Sequence, residues 1–266
     1  MKPMKKILFL DILSEDEKVK KEDRKTVYRG VSYGESVRRF LNISKSDFFI
    51  VDAAHKKFPD ISGIQMVIIG GSVENPIRGS EAPWIKKTYL FINKLKKENV
   101  PIFGMCGGLQ FTVRALGGDI VKNKNGRDFG NEYIELTKNG EKDYLFRGVG
   151  KGFVAMESHW YIAEKMLPGW RLLGSSKKTK IEAIAIGDRI RLTQFHPEMA
   201  VSHIRAIGRM REKALQKEGF GGKKGVRTFL SSIRSTDVVG RRILKNFIRQ
   251  WKGALQTPRG RGKLKK

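Results

Sequence analysis

A chain of 266 residues is long enough to bury a full hydrophobic core without disulfide or metal staples. Its single cysteine, Cys106, excludes an intrachain disulfide, fits a reducing compartment and leaves one thiol free for chemistry. No run approaches the roughly 18 apolar residues needed to cross a bilayer, and the formal charge of +27 speaks to association with polyanions or acidic partners rather than to fold.

The N-terminus sets lysines before a short apolar run, as a secretory leader does. Asp11 interrupts that run, Glu15, Asp16 and Glu17 follow, and no small-residue cleavage site appears, so residues 7–12 are read as a first strand of a soluble, cytoplasmic protein. Further short apolar runs at 48–51, 66–69 and 102–105 alternate with longer amphipathic ones, the pattern of strands joined by helices around a largely parallel sheet. Over 83–97, Ile85, Tyr89, Ile92 and Leu95 recur at helical spacing with lysines on the other face. A second helix is predicted over 109–116, ended by Gly117 and Gly118 as a left-handed cap.

From residue 133 the runs YIELT, GFVAMES, EAIAIG and RIRLTQF read as strands of an antiparallel extension or edge. Residues 202–218 are charged and helical in pattern, and GFGGKKG at 219–225 breaks them. A last helix over 236–251 places Val239, Ile243, Phe247 and Trp251 four apart on the core side and turns Arg241, Arg242, Lys245, Arg249 and Lys252 outward. The expected organisation is one α/β domain over 1–252, with a charged helical insertion at 201–235, and a basic disordered tail at 253–266. The charge is uneven: residues 201–266 hold 19 Lys and Arg against Glu212, Glu218 and Asp237, a net +16. If that region binds nucleic acid, it does so through phosphates and without sequence preference.

Two segments carry chemistry. In VPIFGMCGGLQF, Cys106 lies between glycines where a strand passes into a helix, the form of a nucleophile elbow. Such a turn thrusts the side chain out at the carboxyl end of the sheet, and the helix start aims free N–H groups at it. In LTQFHPEM, His196 and Glu198 stand two apart in an extended run and so share one face, where the carboxylate can orient the ring and the ring can take a thiol's proton. His55, His159, His196 and His203 show no metal-ligand spacing, so neither a metal nor another cofactor is expected.

Together these segments resemble the class I glutamine amidotransferases, whose nucleophile motif is G-x-C-x-G-x-Q, here Gly104, Cys106, Gly108 and Gln110, and whose triad ends in H-P-E, here His196, Pro197 and Glu198. The resemblance implies a flavodoxin-like, mostly parallel sheet flanked by helices, with antiparallel edge strands. It assigns Cys106, His196 and Glu198 as catalytic residues. VIIGGSVENP resembles the family's oxyanion loop, so Gly71 and Gly107 would give backbone N–H groups to the oxyanion, and Gln110 would help bind substrate. VAMESHWYI is similar to the S-H-G-D segment that holds the substrate's amino-acid end: Ser158 and His159 carry over, while the glycine and aspartate are Trp160 and Tyr161. Gly107 departs too, since the family commonly carries a bulkier residue there.

The segment beginning APWI and the long stretch between H-P-E and the last helix resemble the stand-alone, GMP-synthase-like branch. This implies release of ammonia from glutamine through a cysteine thioester, and a partner synthetase on a separate polypeptide, since no S-G-G-x-D-S signature is present. Two readings remain beside it: a γ-glutamyl peptide hydrolase using the same triad, and an inactive, basic polyanion-binding protein.

Overall fold

In a computed structural model of the chain, residues 6–252 are described. The strands are β1 (Lys6–Asp11), β2 (Phe48–Asp52), β3 (Ile64–Ile69), β4 (Ile102–Met105), β5 (Ile120–Lys122), β6 (Asp128–Leu136), β7 (Gly152–His159), β8 (Tyr161–Ala163), β9 (Trp170–Ser175), β10 (Ala183–Ile186) and β11 (Ile190–Thr193). The helices are α1 (Glu17–Thr26), α2 (Tyr33–Leu41), α3 (Pro83–Lys97), α4 (Gly107–Ala115), α5 (Lys138–Lys142), α6 (Val201–Met210), α7 (Glu212–Lys217), α8 (Gly225–Ser232) and α9 (Asp237–Lys252).

Nine strands form one sheet in the order β2-β1-β3-β4-β11-β10-β9-β6-β7, and β5 pairs with β8 in a small second sheet. The first five of that order run parallel, and β10, β9, β6 and β7 continue the sheet antiparallel. The run RIRLTQF at 189–195, read from sequence with the antiparallel edge, forms β11 and pairs with β4 in parallel. A short apolar run has the same alternation in either pairing, so only the fold could separate the two.

Alternation along the strands divides the core. Ile7, Phe9, Met66, Ile68, Phe103 and Met105 pack on the face covered by α9, with Phe247 tilted on Phe103 at 5.3 Å between ring centroids. Leu8, Leu10, Val67, Ile69 and Ile102 pack on the opposite face against Ile92 and Leu95 of α3 and Leu109 of α4. Pro83 starts α3 at a position where no amide hydrogen is needed. Gly117, at φ +94°, ends α4 in the left-handed conformation the sequence foretold.

Residues 201–235, expected from sequence as an insertion, form a small core of their own, in which Phe129 and Met156 of β6 and β7 meet Ile204, Leu215, Val226 and Leu230. The single helix expected over 202–218 is two, α6 and α7, parted at Arg211, and the glycine-rich break leads into α8. In α9, Ile243, Phe247 and Trp251 are buried as predicted and Val239 is half-buried. Arg241 is half-buried rather than turned out: it donates to the Phe40 carbonyl and lies over the Phe40 ring at 4.4 Å. Lys245 is half-buried as well. The tail at 253–266 lies outside the described residues.

Helix α9 also bears on the H-P-E segment. A Cβ built on Gly240 would fall 1.9 Å from the Pro197 carbonyl oxygen, so the helix seats there only without a side chain. Gly240→Ala is expected to destabilise the fold by about 1–3 kcal/mol, the usual cost of overpacking. Urea unfolding measures it, and an unchanged midpoint would show that α9 does not rest on Pro197.

Candidate functional site

The site lies at the carboxyl ends of β4 and β11. Cys106 closes β4 with φ +50° and ψ −103°, a strained conformation for a residue with a side chain, and its N–H donates to the Thr193 carbonyl at 2.8 Å. A Cβ on Gly104 would lie 2.7 Å from the Gly108 backbone, and one on Gly108 2.4 Å from the Ile69 carbonyl oxygen, which explains the glycines at both places. Helix α4 starts at Gly107, directly after the cysteine, so its first-turn N–H groups have no acceptor within the helix.

Cys106, His196 and Glu198 come together as the motif spacing implied. His196 Nδ1 lies 2.8 Å from Glu198 Oε1, which leaves Nε2 for the sulfur. Burial disfavours the charged ring, but the sulfur and the Glu198 carboxylate outweigh it and raise the imidazole pKa well above its ordinary value. For Glu198 burial pulls upward, and His196 and Tyr33 together hold the carboxyl below its usual value. A thiol, an imidazole and an ionised carboxylate in this order can make and break an acyl bond.

Tyr33, at the start of α2, had no signal in the sequence beyond its apolar ring. Its hydroxyl donates to Glu198 Oε1 at 2.7 Å and accepts the Gly71 N–H at 2.9 Å. In this conformation the Gly71 N–H, which the resemblance assigns to the oxyanion, is engaged by the Tyr33 hydroxyl. The next N–H, of Ser72, has no hydrogen-bond acceptor among the described residues, and a Cβ on Gly107 would fall 2.4 Å from that nitrogen. The loop thus sits down on Gly107, in space that a side chain at 107 would fill. Gln194 is a second contact that sequence reasoning missed: its side-chain amide nitrogen lies 3.7 Å from Cys106 Sγ.

A cleft of about 340 Å³ opens over Cys106 and is lined by Gln110, Ser158, His159, Trp160 and Tyr161, so all three expected substrate-binding side chains reach it. Gln110 is partly committed, donating from its amide to the Tyr161 carbonyl at 2.7 Å. His159 is buried and turns to Glu157, 3.0 Å away. Behind it lie Asp128 and Glu182, and these two with His159 could jointly hold a cation, their ligand atoms all within 4.8 Å of one another. Each comes from a different strand or turn, which is why spacing along the chain gave no metal grouping. A more exposed trio, Glu17, Asp52 and His55, has the same property.

Glu157 and Glu182 are both pushed well above the usual carboxyl pKa, first by burial, then by Asp128 for Glu157 and by Glu157 for Glu182. A carboxyl that stays protonated in the fold while ionising at about pH 4.3 in the unfolded chain stabilises below that pH and loses its contribution as pH rises toward the folded value. Glu182→Gln, which cannot ionise, is therefore expected to raise the melting temperature relative to the parent at pH 8 and to differ least at pH 4. A pH-independent difference would refute the raised Glu182 pKa.

The family profile for class-I glutamine amidotransferases matches residues 29–206. A glutamine-hydrolysing GMP synthase of Thermosipho melanesiensis is 29% identical over 167 residues, covering 62% of this chain and 30% of that protein. A glutamine-hydrolysing GMP synthase of Sulfolobus acidocaldarius that is itself one subunit of its enzyme is 28% identical over 145 residues, 54% of this chain and 72% of that one. The chain thus spans under a third of the Thermosipho synthase and most of the separate Sulfolobus subunit. In fold it is similar to a glutamine amidotransferase of Thermotoga maritima, with a TM-score of 0.70 at 18% identity over 93% of this chain and 97% of that one. A glutamine amidotransferase of Methylobacillus flagellatus gives 0.65 at 14% identity, over 93% and 96%. With the profile spanning the elbow and the H-P-E segment, the chain belongs to the class I glutamine amidotransferase family.

Proposed function

We propose that the chain hydrolyses the γ-amide of glutamine through a thioester on Cys106 and delivers the ammonia to a separate synthetase. The observation that carries this is the strained elbow at Cys106 with the His196–Glu198 pair beside it, buried and hydrogen-bonded. His196 takes the thiol proton, and the thiolate attacks the amide carbon. The oxyanion is met by the N–H groups of Gly107 and the 71–72 loop, and the ring returns its proton to the leaving amine. Water then enters by the same route and releases glutamate. The synthetase partner is supported by the relative that is itself a separate synthase subunit. The polyanion-binding reading rests on charge alone and has no counterpart among these relatives.

A γ-glutamyl peptide hydrolase is the second reading, favoured by Trp160 and Tyr161 standing where the family has glycine and aspartate. It differs in the leaving group and not in the triad.

Cys106→Ala is expected to lower glutamate release from glutamine by about a thousandfold or more with the fold retained. His196→Ala should come close to this loss, and Glu198→Gln should be milder, because the carboxylate orients and steadies the ring. Near-parental release by Cys106→Ala would end the assignment. The isolated chain should turn glutamine over slowly and speed up when its synthetase binds, since Gly71 is held on Tyr33 until the loop is moved. Rapid turnover of a γ-glutamyl peptide by the chain alone, with glutamine a poor substrate, would favour the second reading.

A further inference from the structure

The cleft above Cys106 has an unusual balance of charge. Its lining contains no carboxylate, but two guanidinium groups, Arg127 and Arg211, border it. Arg127 lies over the Trp160 ring at 4.5 Å and is held by Glu218 through two contacts of 2.7 and 3.2 Å. Its charge is largely answered. Arg211 differs: its guanidinium has no hydrogen-bond or ion-pair partner among the described residues. It stands at the break between α6 and α7 and also lines a neighbouring cavity with Asp23, Tyr33, Gly71 and His196. Asp23 and Glu218 attract it and Arg127 repels it, and burial outweighs the attractions enough to lower its pKa. A half-buried guanidinium left without an acceptor is costly unless a ligand supplies one.

The segment that in the family holds the substrate's amino-acid end here reads Ser158, His159, Trp160, Tyr161. The aspartate that would meet an α-ammonium group is absent from it. The buried acids Asp128, Glu157 and Glu182 are engaged with Thr179, His159 and Ser176. The end of the cleft built to hold an amino acid therefore offers cations and no anion.

We infer that Arg211 is a specificity-determining residue that holds the α-carboxylate of the substrate, so that the enzyme takes γ-amides carrying an α-carboxylate and does not require their α-amino group. Rigid, planar and multiply donating, a guanidinium suits a carboxylate better than an ammonium would. The substrate class is then broader than glutamine on the amino side and strict on the carboxylate side. The reading of which substrates are hydrolysed rests on the proposed cysteine chemistry, but the anion subsite itself does not.

Two measurements on the full chain separate these. The first needs no turnover: the rates at which iodoacetate, an anion, and iodoacetamide, its neutral analogue, alkylate Cys106 are followed by mass spectrometry. Relative to a free thiol, the parent should favour iodoacetate, and Arg211→Met should lower that preference by about tenfold, the scale of one charged hydrogen bond. Arg211→Lys should keep part of it. Circular dichroism and the melting temperature establish that both variants fold, and if Arg211→Met does not, the Arg211→Lys ratio and the parent ratio carry the test. An alkylation ratio equal to that of a free thiol in the parent, or unchanged in a folded variant, overturns the subsite.

The second compares glutamine, N-acetylglutamine and glutamine with its α-carboxylate converted to an amide. The acetylated compound should be hydrolysed within about tenfold of glutamine, the α-amide should fail, and Arg211→Met should act chiefly through KM. Hydrolysis of the α-amide with N-acetylglutamine inert overturns the proposal. No hydrolysis of any of the three, with the alkylation preference intact, would refute the hydrolase reading and leave the anion subsite standing.

Discussion

The parallel pairing of β4 with β11 is the constraint on which the site depends. Ile102 to Met105 lie beside Ile190 to Thr193 in unbroken register, and the Cys106 N–H extends the ladder by one bond to the Thr193 carbonyl. Both strands run the same way and stop at the same level, so the residues that follow them, Cys106 on one and His196 on the other, emerge side by side. A slip of one residue in this pairing would turn one of the two side chains to the opposite face. Cys106 and His196 are thus neighbours by backbone hydrogen bonding, before any side-chain interaction is counted.

Contacts that exclude side chains then fix the approach. Gly104 and Gly108 let the elbow close on itself and on β3, Gly71 lets the loop lie against the His196 ring, and Gly240 lets α9 rest on Pro197. Tyr33 ties two of these parts together, since one hydroxyl holds both the Glu198 carboxylate and the Gly71 N–H. A loop movement that freed Gly71 would also take a hydrogen bond from Tyr33, whose hydroxyl would then be left to Glu198 alone. The geometry of the loop at Gly71 and the hydrogen bonding of Glu198 are accordingly linked through a single side chain on α2.

What the sequence revealed follows from the range of each signal. The elbow and the H-P-E segment are local: glycine flanks, a strand before and a helix after, and an i, i+2 pair are all legible within a dozen residues, so Cys106, His196 and Glu198 stand out as candidates from those residues alone. The parallel strands 7–12, 48–51, 66–69 and 102–105 were legible for the same reason, as buried apolar runs between amphipathic stretches. Contacts that join distant segments were not. Tyr33 reaches Glu198 across 165 positions, and Asp128, Glu157, His159 and Glu182 meet only because β6 pairs with β7 and the turn before β10 folds under them. Helix α1 went unread because it buries no residue. Resemblance alone places Gly71 in the oxyanion role, and its N–H has a partner in Tyr33 that no motif could announce.

The basic excess of the last quarter has a more structural use than its net charge suggested. Arg205 donates to the carbonyls of Leu230, Ser231 and Ile233, closing the C-terminal end of α8 where helix carbonyls lack partners. Arg241 and Arg242 do the same for the Phe40 and Gly148 carbonyls, pinning α9 to segments on either side of it. The insertion's two acids are spent on arginines, Glu212 on Arg227 and Glu218 on Arg127. Guanidinium groups here serve as long, rigid donors to backbone oxygen, and each one so used adds a positive charge without needing an external anion. Arg211, half-buried at the break between α6 and α7, has no such oxygen partner among the described residues and shares the lining of the cleft with Cys106. A surface charge count could not distinguish it from its neighbours, since what separates them is which oxygen atoms the fold leaves within reach.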